Sequence, residues 1–273
     1  MRREFFEGRE HNSLGLGLQA CINSSQAREI GKMALVRVAV PIYMPEWLRS
    51  TLRRIKRTFR PPEKPDIDLV GDRDIEWSFV ASHLPCGPGE ALDFGCDGTY
   101  LSLIAARRGF HVVALDLERQ AVSWQHPNRN FVQRDLLAAR LADASFDLVV
   151  NCSSVEHVGL VGRYSVSEPL PDGDLEAMRT LRSLMKPEGI QLLTIPVGRD
   201  SVFYPWHRVY GKARLPLLLD GYVVEQAEFW RKSLDQGWAL CEREDALEFN
   251  AGWDEKRKIY ALGCFVLRCP ARG

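Results

Sequence analysis

The chain has no apolar run approaching the roughly 18 residues that a membrane-spanning helix needs. The longest near its start, Met33 to Met44, is broken by Arg37 and Pro41. Residues 1–32 mix both charge signs, with Glu4, Glu7, Glu10 and Glu29, unlike the basic start of a signal peptide. Net charge is missing as well: 36 Lys and Arg cancel 36 Asp and Glu, and the pI is about 7.0. That removes a global electrostatic footprint for nucleic acid. The seven cysteines (Cys21, Cys86, Cys96, Cys152, Cys241, Cys264 and Cys269) include no C-x-x-C pair, so zinc ribbons and dithiol motifs are not indicated and free thiols in a reducing compartment fit best. There is no internal repeat or low-complexity tract. With 45% hydrophobic, 26% charged and 10% aromatic residues, collagen-like, disordered and disulfide-scaffold classes drop out. We expect a cytoplasmic protein of one large domain with appendages, a size that buries about 75% of its surface.

Residues 1–32 have no sustained period and read as an extension, with Met33 a conceivable alternative start. Residues 47–60 set Leu48, Leu52, Ile55 and Phe59 at helical spacing among six Arg and Lys residues. This basic amphipathic helix suits peripheral contact with an anionic membrane or partner, or docking on the core. Pro61, Pro62 and Pro65 then break the chain, dividing an N-terminal extension (1–65) from a catalytic domain (66–273). A helix is expected over 72–84, capped by Asp72. Strand-like runs follow at 90–95, 111–116, 130–134, 146–152 and 190–196, with helical patterns at 100–109, 118–124 and 173–186. That alternation predicts an α/β fold with a mostly parallel central sheet and helices on both faces. Strands at 221–231, 237–243 and 259–268 add an antiparallel C-terminal edge.

The most informative stretch runs from Ala91 to Asp116: an apolar strand, the turn Asp93-Phe-Gly95-Cys96-Asp97-Gly98, a helix, and a second strand ending in an acid. Gly95 and Gly98 let backbone approach a ligand where a Cβ would clash. The helix start near Thr99 offers free N–H groups. Asp116 stands where an acid accepts hydrogen bonds from a ribose diol. A dinucleotide enzyme would carry G-x-G-x-x-G, a spacing this turn lacks.

At these residues the chain resembles the class I S-adenosylmethionine-dependent methyltransferases, with Asp97 and Thr99 where the family writes its second and third glycines. Further matches follow in order. Phe131-Val-Gln-Arg-Asp135 with Leu136 looks like the adenine-contacting segment. Phe146 to His157 looks like the fourth motif. Leu184 to Pro196 looks like the family's L-x-P-G-G region, with Glu188 for the first glycine. Asn151-Cys-Ser-Ser-Val-Glu-His-Val-Gly159, Gly162-Arg-Tyr164, Asp172 to Met178, Ile195 to Asp200 and His207 to Gly211 resemble, more closely, a domain-of-unknown-function family with a methyltransferase-like core. The resemblance spans about residues 75–268. It implies the Rossmann-like class I methyltransferase fold and S-adenosylmethionine as cofactor, with Asp93, Gly95, Cys96 and Gly98 around the methionine and sugar. Asp116 and Leu117 would hold the ribose, Asp135 and Leu136 the adenine, and Asn151 and Ser153 would contribute from the fourth strand.

Methyl transfer is an in-line displacement, so the protein aligns the partners and removes a proton when the nucleophile is a hydroxyl. His157 is the candidate base, with Glu156 orienting or charging it. The alternative is a capping Glu156 and a His157 bonded to backbone. Adjacent residues on a helix face apart, so at most one of the two points at the acceptor. Tyr164, His207, Arg208 and Tyr210 are candidate substrate-binding residues, the last three in an aromatic and cationic run that either stacks on the acceptor or packs over the sheet. No metal is expected, since His157, Asp172, Asp174 and His207 lack diagnostic spacing. The expected activity is methylation of a small-molecule or carbohydrate-like acceptor, through oxygen. The rivals are a non-catalytic scaffold recruited by the basic helix and a nicotinamide-dependent oxidoreductase.

Overall fold

A computed structural model describes residues 72–271, apart from 119–121, 123, 163, 165, 167, 234–236 and 254–257. The extension over 1–65, its basic helix at 47–60 and most of the helix expected at 118–124 lie outside the described residues.

Helix α1 (Arg73–His83) leads into β1 (Gly89–Phe94), α2 (Leu101–Arg107), β2 (Phe110–Asp116), β3 (Arg129–Gln133) and β4 (Phe146–Cys152). Then come α3 (Gly173–Leu184), β5 (Met185–Val197), the hairpin β6 (Ser201–Phe203) and β7 (His207–Val209), and α4 (Arg214–Leu218). The chain closes with β8 (Val223–Ser233), β9 (Gly237–Leu240), α5 (Arg243–Leu247), the short pair β10 (Gly252–Trp253) and β11 (Lys258–Ile259), and β12 (Ala261–Arg268). Eight strands form one sheet in the order β3-β2-β1-β4-β5-β12-β8-β9. The first five are parallel, and β12, β8 and β9 join antiparallel.

The continuous apolar character of β1, β4 and β5 follows from burial on both faces. Ala91, Leu148, Val150, Leu192 and Cys264 pack with Phe79, Val80, Leu101 and Ala105 of α1 and α2. Their alternates Leu92, Val149, Leu193 and Phe265 pack with Ala177, Met178 and Leu181 of α3, Leu215 and Leu218 of α4, and Leu247 of α5. Every described cysteine is free, and only Cys86 among them is exposed.

Two differences from expectation have local causes. β5 starts five residues earlier than its apolar run, because Glu188 N–H donates to the Cys269 carbonyl at 2.9 Å and Cys269 N–H returns to the Gly189 carbonyl at 2.9 Å. Asp72 does not cap α1 with its side chain; its carboxylate instead accepts the Tyr260 hydroxyl. Strand order reverses between β1 and β4, so a crevice opens beyond their carboxyl ends, where ligands bind in open α/β sheets.

Candidate active site

The turn after β1 is tied to β2: Gly95 N–H and Cys96 N–H both donate to the Leu115 carbonyl, at 2.8 and 3.3 Å. Gly95 has φ +68°, and a Cβ there would collide with the Ser154 hydroxyl, so both conformation and space require glycine. Asp97 also holds a positive φ, +35°. Its N–H donates to Asp116 Oδ2 at 2.9 Å, and Glu118 N–H donates to Asp116 Oδ1 at 2.9 Å. The Asp116 carboxylate is thereby aimed by two amides and keeps lone pairs for a ligand. Thr99 is buried, and its Oγ1 accepts Leu101 N–H at 3.4 Å at the start of α2.

An open cleft of about 900 Å³, counted out to solvent, lies over this turn. Its wall takes Phe94, Gly95, Asp97 and Thr99 from the first turn, Leu115, Asp116 and Leu117 from β2, and Arg134, Asp135 and Leu136 from the segment after β3. Cys152, Ser153 and Ser154 come from β4, His157, Val158, Gly159, Tyr164 and Val166 from the following loop, and Arg73 from α1. Asp135 caps a short 3-10 turn by accepting Leu137 N–H at 2.9 Å. Thus Gly95, Asp116, Leu117, Asp135, Leu136, Ser153, His157 and Tyr164 converge on one cavity.

Asp93, Cys96, Gly98 and Asn151 stand behind that wall. Asp93 is buried against Ser102 and Arg129; burial pushes its carboxyl up to about 7, with Arg129 pulling the other way. Burial likewise pushes the Cys96 thiol up to about 12. Asn151 Oδ1 accepts Val155 N–H at 3.3 Å, and its Nδ2 meets Met178 Sδ at 3.6 Å.

Below Ser153 lies a buried polar cluster. Ser153 has φ +48°, and its hydroxyl donates to Glu76 Oε1, which also accepts Thr194 Oγ1 at 2.9 Å. Glu76 Oε2 accepts Arg73 Nη1 at 2.9 Å. Burial, reinforced by Asp72 and opposed by Arg73, pushes Glu76 up to about 7. Burial works against the Arg73 charge, but Glu76 and Asp72 hold its pKa above the ordinary arginine value. The sequence reading singled out neither Arg73 nor Glu76. A signal existed: Glu76 occupies the apolar stripe of α1 beside Phe79 and Val80, where a carboxylate is rarely found without a partner.

His157 lies in the cleft wall with its ring edge-on to Tyr164 at 5.5 Å. Its Nδ1 contacts the Trp206 carbonyl. A carbonyl only accepts, so Nδ1 carries a hydrogen. Glu156 is buried, and burial pushes its carboxyl up to about 8. Arg208, 2% exposed, is likewise internal. Its Nη1 donates to the Glu156 and Val158 carbonyls at 3.3 and 2.6 Å, and its Nη2 to those of Leu170 and Pro171 at 3.2 and 3.1 Å. Nε lies 3.6 Å from Asp174 Oδ1. Tyr210 is fully buried near Asp174. His207 is buried between the rings of Phe203, at 5.6 Å, and Tyr260, at 5.3 Å. None of these three reaches the cleft wall. No group of three metal-ligating side chains occurs among the described residues, nor any helix long and apolar enough to cross a membrane.

Residues 131–237 match the family described as "Caenorhabditis protein of unknown function, DUF268". A Mycobacterium tuberculosis protein named a probable S-adenosylmethionine-dependent methyltransferase is 27% identical over 172 residues, 60% of each chain. A ubiquinone biosynthesis O-methyltransferase of Xanthomonas campestris is 31% identical over 141 residues, 49% of this chain and 52% of that one. The chain therefore spans about three-fifths, at most, of these relatives' length. Among solved structures, the 1,6-didemethyltoxoflavin-N1-methyltransferase of Burkholderia thailandensis, with bound 1,6-didemethyltoxoflavin and S-adenosylhomocysteine, superposes with a TM-score of 0.50 at 15% identity. It covers 86% of this chain and 94% of its own. By sheet order, by the cleft at the strand reversal and by these likenesses, the chain has the Rossmann-like fold of the class I S-adenosylmethionine-dependent methyltransferases.

Proposed function

We propose that this chain methylates the hydroxyl of a small or carbohydrate-like acceptor, with S-adenosylmethionine as donor. The observation that carries the reading is Asp116: its carboxylate is fixed by the amides of Asp97 and Glu118 at the rim of a cleft that also holds Asp135, Arg73 and His157. This donor set suits the cofactor's parts. Asp116 accepts from a ribose diol, Leu117 and Leu136 flank a flat base, and Arg73 supplies a cation for an amino-acid carboxylate. Gly95 lets main chain approach closely.

When bound, the cofactor supplies an electrophilic methyl group on a sulfonium. The chain's own work is alignment and proton removal. Nε2 of His157, whose ring is held through Nδ1 by the Trp206 carbonyl, takes the proton of the acceptor hydroxyl. Glu156, protonated at neutral pH because burial raises it to about 8, supports the loop as a neutral group and gives the imidazolium no counter-charge. Tyr164, edge-on to His157, forms the acceptor side, and a cleft of this size suits a small molecule. The relatives named for O-methylation in ubiquinone biosynthesis support oxygen as the attacking atom. In this reading residues 66–273 are the catalytic unit of a cytoplasmic enzyme, and the basic segment 47–60 supplies peripheral membrane contact.

The test is calorimetric titration with S-adenosylmethionine and S-adenosylhomocysteine, with NAD as control. Micromolar binding of the first two is expected, followed by methyl transfer to a hydroxyl in an acceptor screen. Binding of NAD alone overturns the reading.

A further inference from the structure

Glu76 is wholly buried on α1, where a carboxylate is unfavourable unless its oxygens are used. Three donors from three elements use them. Arg73 Nη1 reaches Oε2 at 2.9 Å from the first turn of α1. The Ser153 hydroxyl reaches Oε1 from the end of β4, and Thr194 Oγ1 reaches the same oxygen at 2.9 Å from β5. Two of the three donors, Arg73 and Ser153, belong to residues of the cleft wall, whereas Glu76 and Thr194 do not line it. Ser153 holds its positive φ of +48° here, a conformation that persists only when neighbours over-determine it. The Arg73 side chain is 40% exposed and lines the cleft, with Nη1 of its five-donor fork engaged by Glu76. An exposed arginine on the first turn of a helix otherwise samples many rotamers, and tethering it removes an ordering penalty from binding.

We propose that Glu76 is a positioning residue, which pre-sets the Arg73 guanidinium and the Ser153 hydroxyl for the carboxylate-bearing arm of the cofactor. This rests on the methyltransferase reading above. A merely structural Glu76 would affect all ligands of the cleft alike; a positioning Glu76 affects only those that carry the arm.

The experiment compares S-adenosylhomocysteine with methylthioadenosine, which keeps the adenosine and the thioether and lacks the amino-acid arm. Glu76→Gln keeps the shape, removes the ionisable group and turns one accepting oxygen of the cluster into an NH2 donor. It is expected to weaken S-adenosylhomocysteine about tenfold and methylthioadenosine by less than about twofold. Arg73→Met should give the same selective loss, and adding Glu76→Gln to it should cause no further loss. Should Glu76→Gln not yield folded protein, Thr194→Val releases the same carboxylate from outside the cleft wall. It should weaken S-adenosylhomocysteine selectively by about threefold. Equal losses for both ligands, or no loss for either, overturn the role of Glu76 while leaving the methyltransferase reading intact. A wild-type protein that binds neither ligand overturns both.

Discussion

His157 and Glu156 are neighbours in the chain, with Nε2 and Oε1 3.7 Å apart, yet only His157 lines the cleft. His157 faces the cavity and Glu156 the protein interior. Both belong to one 3-10 turn, Val155–His157, and Glu156 is sealed from solvent at 2% exposure. Glu156 Oε2 accepts no hydrogen bond among the described residues, and the carboxyl is accommodated by staying neutral.

That neutrality has a signature in stability. Burial raises Glu156 to about 8, and raises Glu76 and Asp93 to about 7. For carboxyls raised on folding, the stabilising contribution is complete below the unfolded value and disappears as pH climbs through the folded one. Urea unfolding should therefore show stability falling between about pH 5 and about pH 8.5. Glu156→Gln should flatten the upper part of that fall and gain on the order of 1 kcal/mol over wild type at about pH 9. Stability that rises across the window would refute the assignment.

Gly95→Ala should damage fold and ligand affinity together. The added methyl meets the Ser154 hydroxyl, and alanine resists a φ of +68°. A loss of about 1–3 kcal/mol is expected in thermal unfolding, with weaker binding of S-adenosylhomocysteine by calorimetry.

Asp116→Ala removes the carboxylate that gathers the Asp97 and Glu118 amides. Because the group sits at the cleft rim, the protein should fold while S-adenosylhomocysteine affinity drops more than about tenfold. Full affinity in this variant would sink the ribose assignment.

Arg208→Met should destabilise the fold by about 2–4 kcal/mol, since it strips four carbonyls of their shared donor and leaves the buried Asp174 to Arg214. Arg208→Lys should rescue little, because an ammonium cannot reproduce the fork. An unchanged melting temperature with a raised acceptor KM would return Arg208 to the substrate.

What was legible in the sequence is what local chemistry decides. The apolar runs of β1, β2 and β4, the glycine turn and the acid closing β2 each announce themselves within a few residues. Asp97 and Glu188 were visible as departures from a glycine pattern. Only the structure shows that both keep glycine-like backbone, at φ +35° and +64°, a conformation that aspartate in particular tolerates. Contacts between distant residues were not legible. Glu76 meets Ser153 across 77 positions and Thr194 across 118, and no spacing rule reaches that far. The run from Phe203 to Arg214 left two readings open, a ligand platform or a loop packed over the sheet, because composition does not say which face a side chain takes. His207, Arg208 and Tyr210 turn inward, whereas Tyr204 is 66% exposed and Trp206 36%.

The Arg208 clasp makes the loop before α3 a natural cassette. Its ends are buttoned together by one guanidinium and by the Leu170 N–H on the Gly159 carbonyl at 3.0 Å, with Leu160 buried just inside them. In the proposed reading, exchanging residues 161–169 for a relative's, with Leu160 kept, would alter the side of the cleft that Tyr164 and Val166 line. The graft would change what stands opposite His157 while the sheet and the cofactor wall keep their sequence.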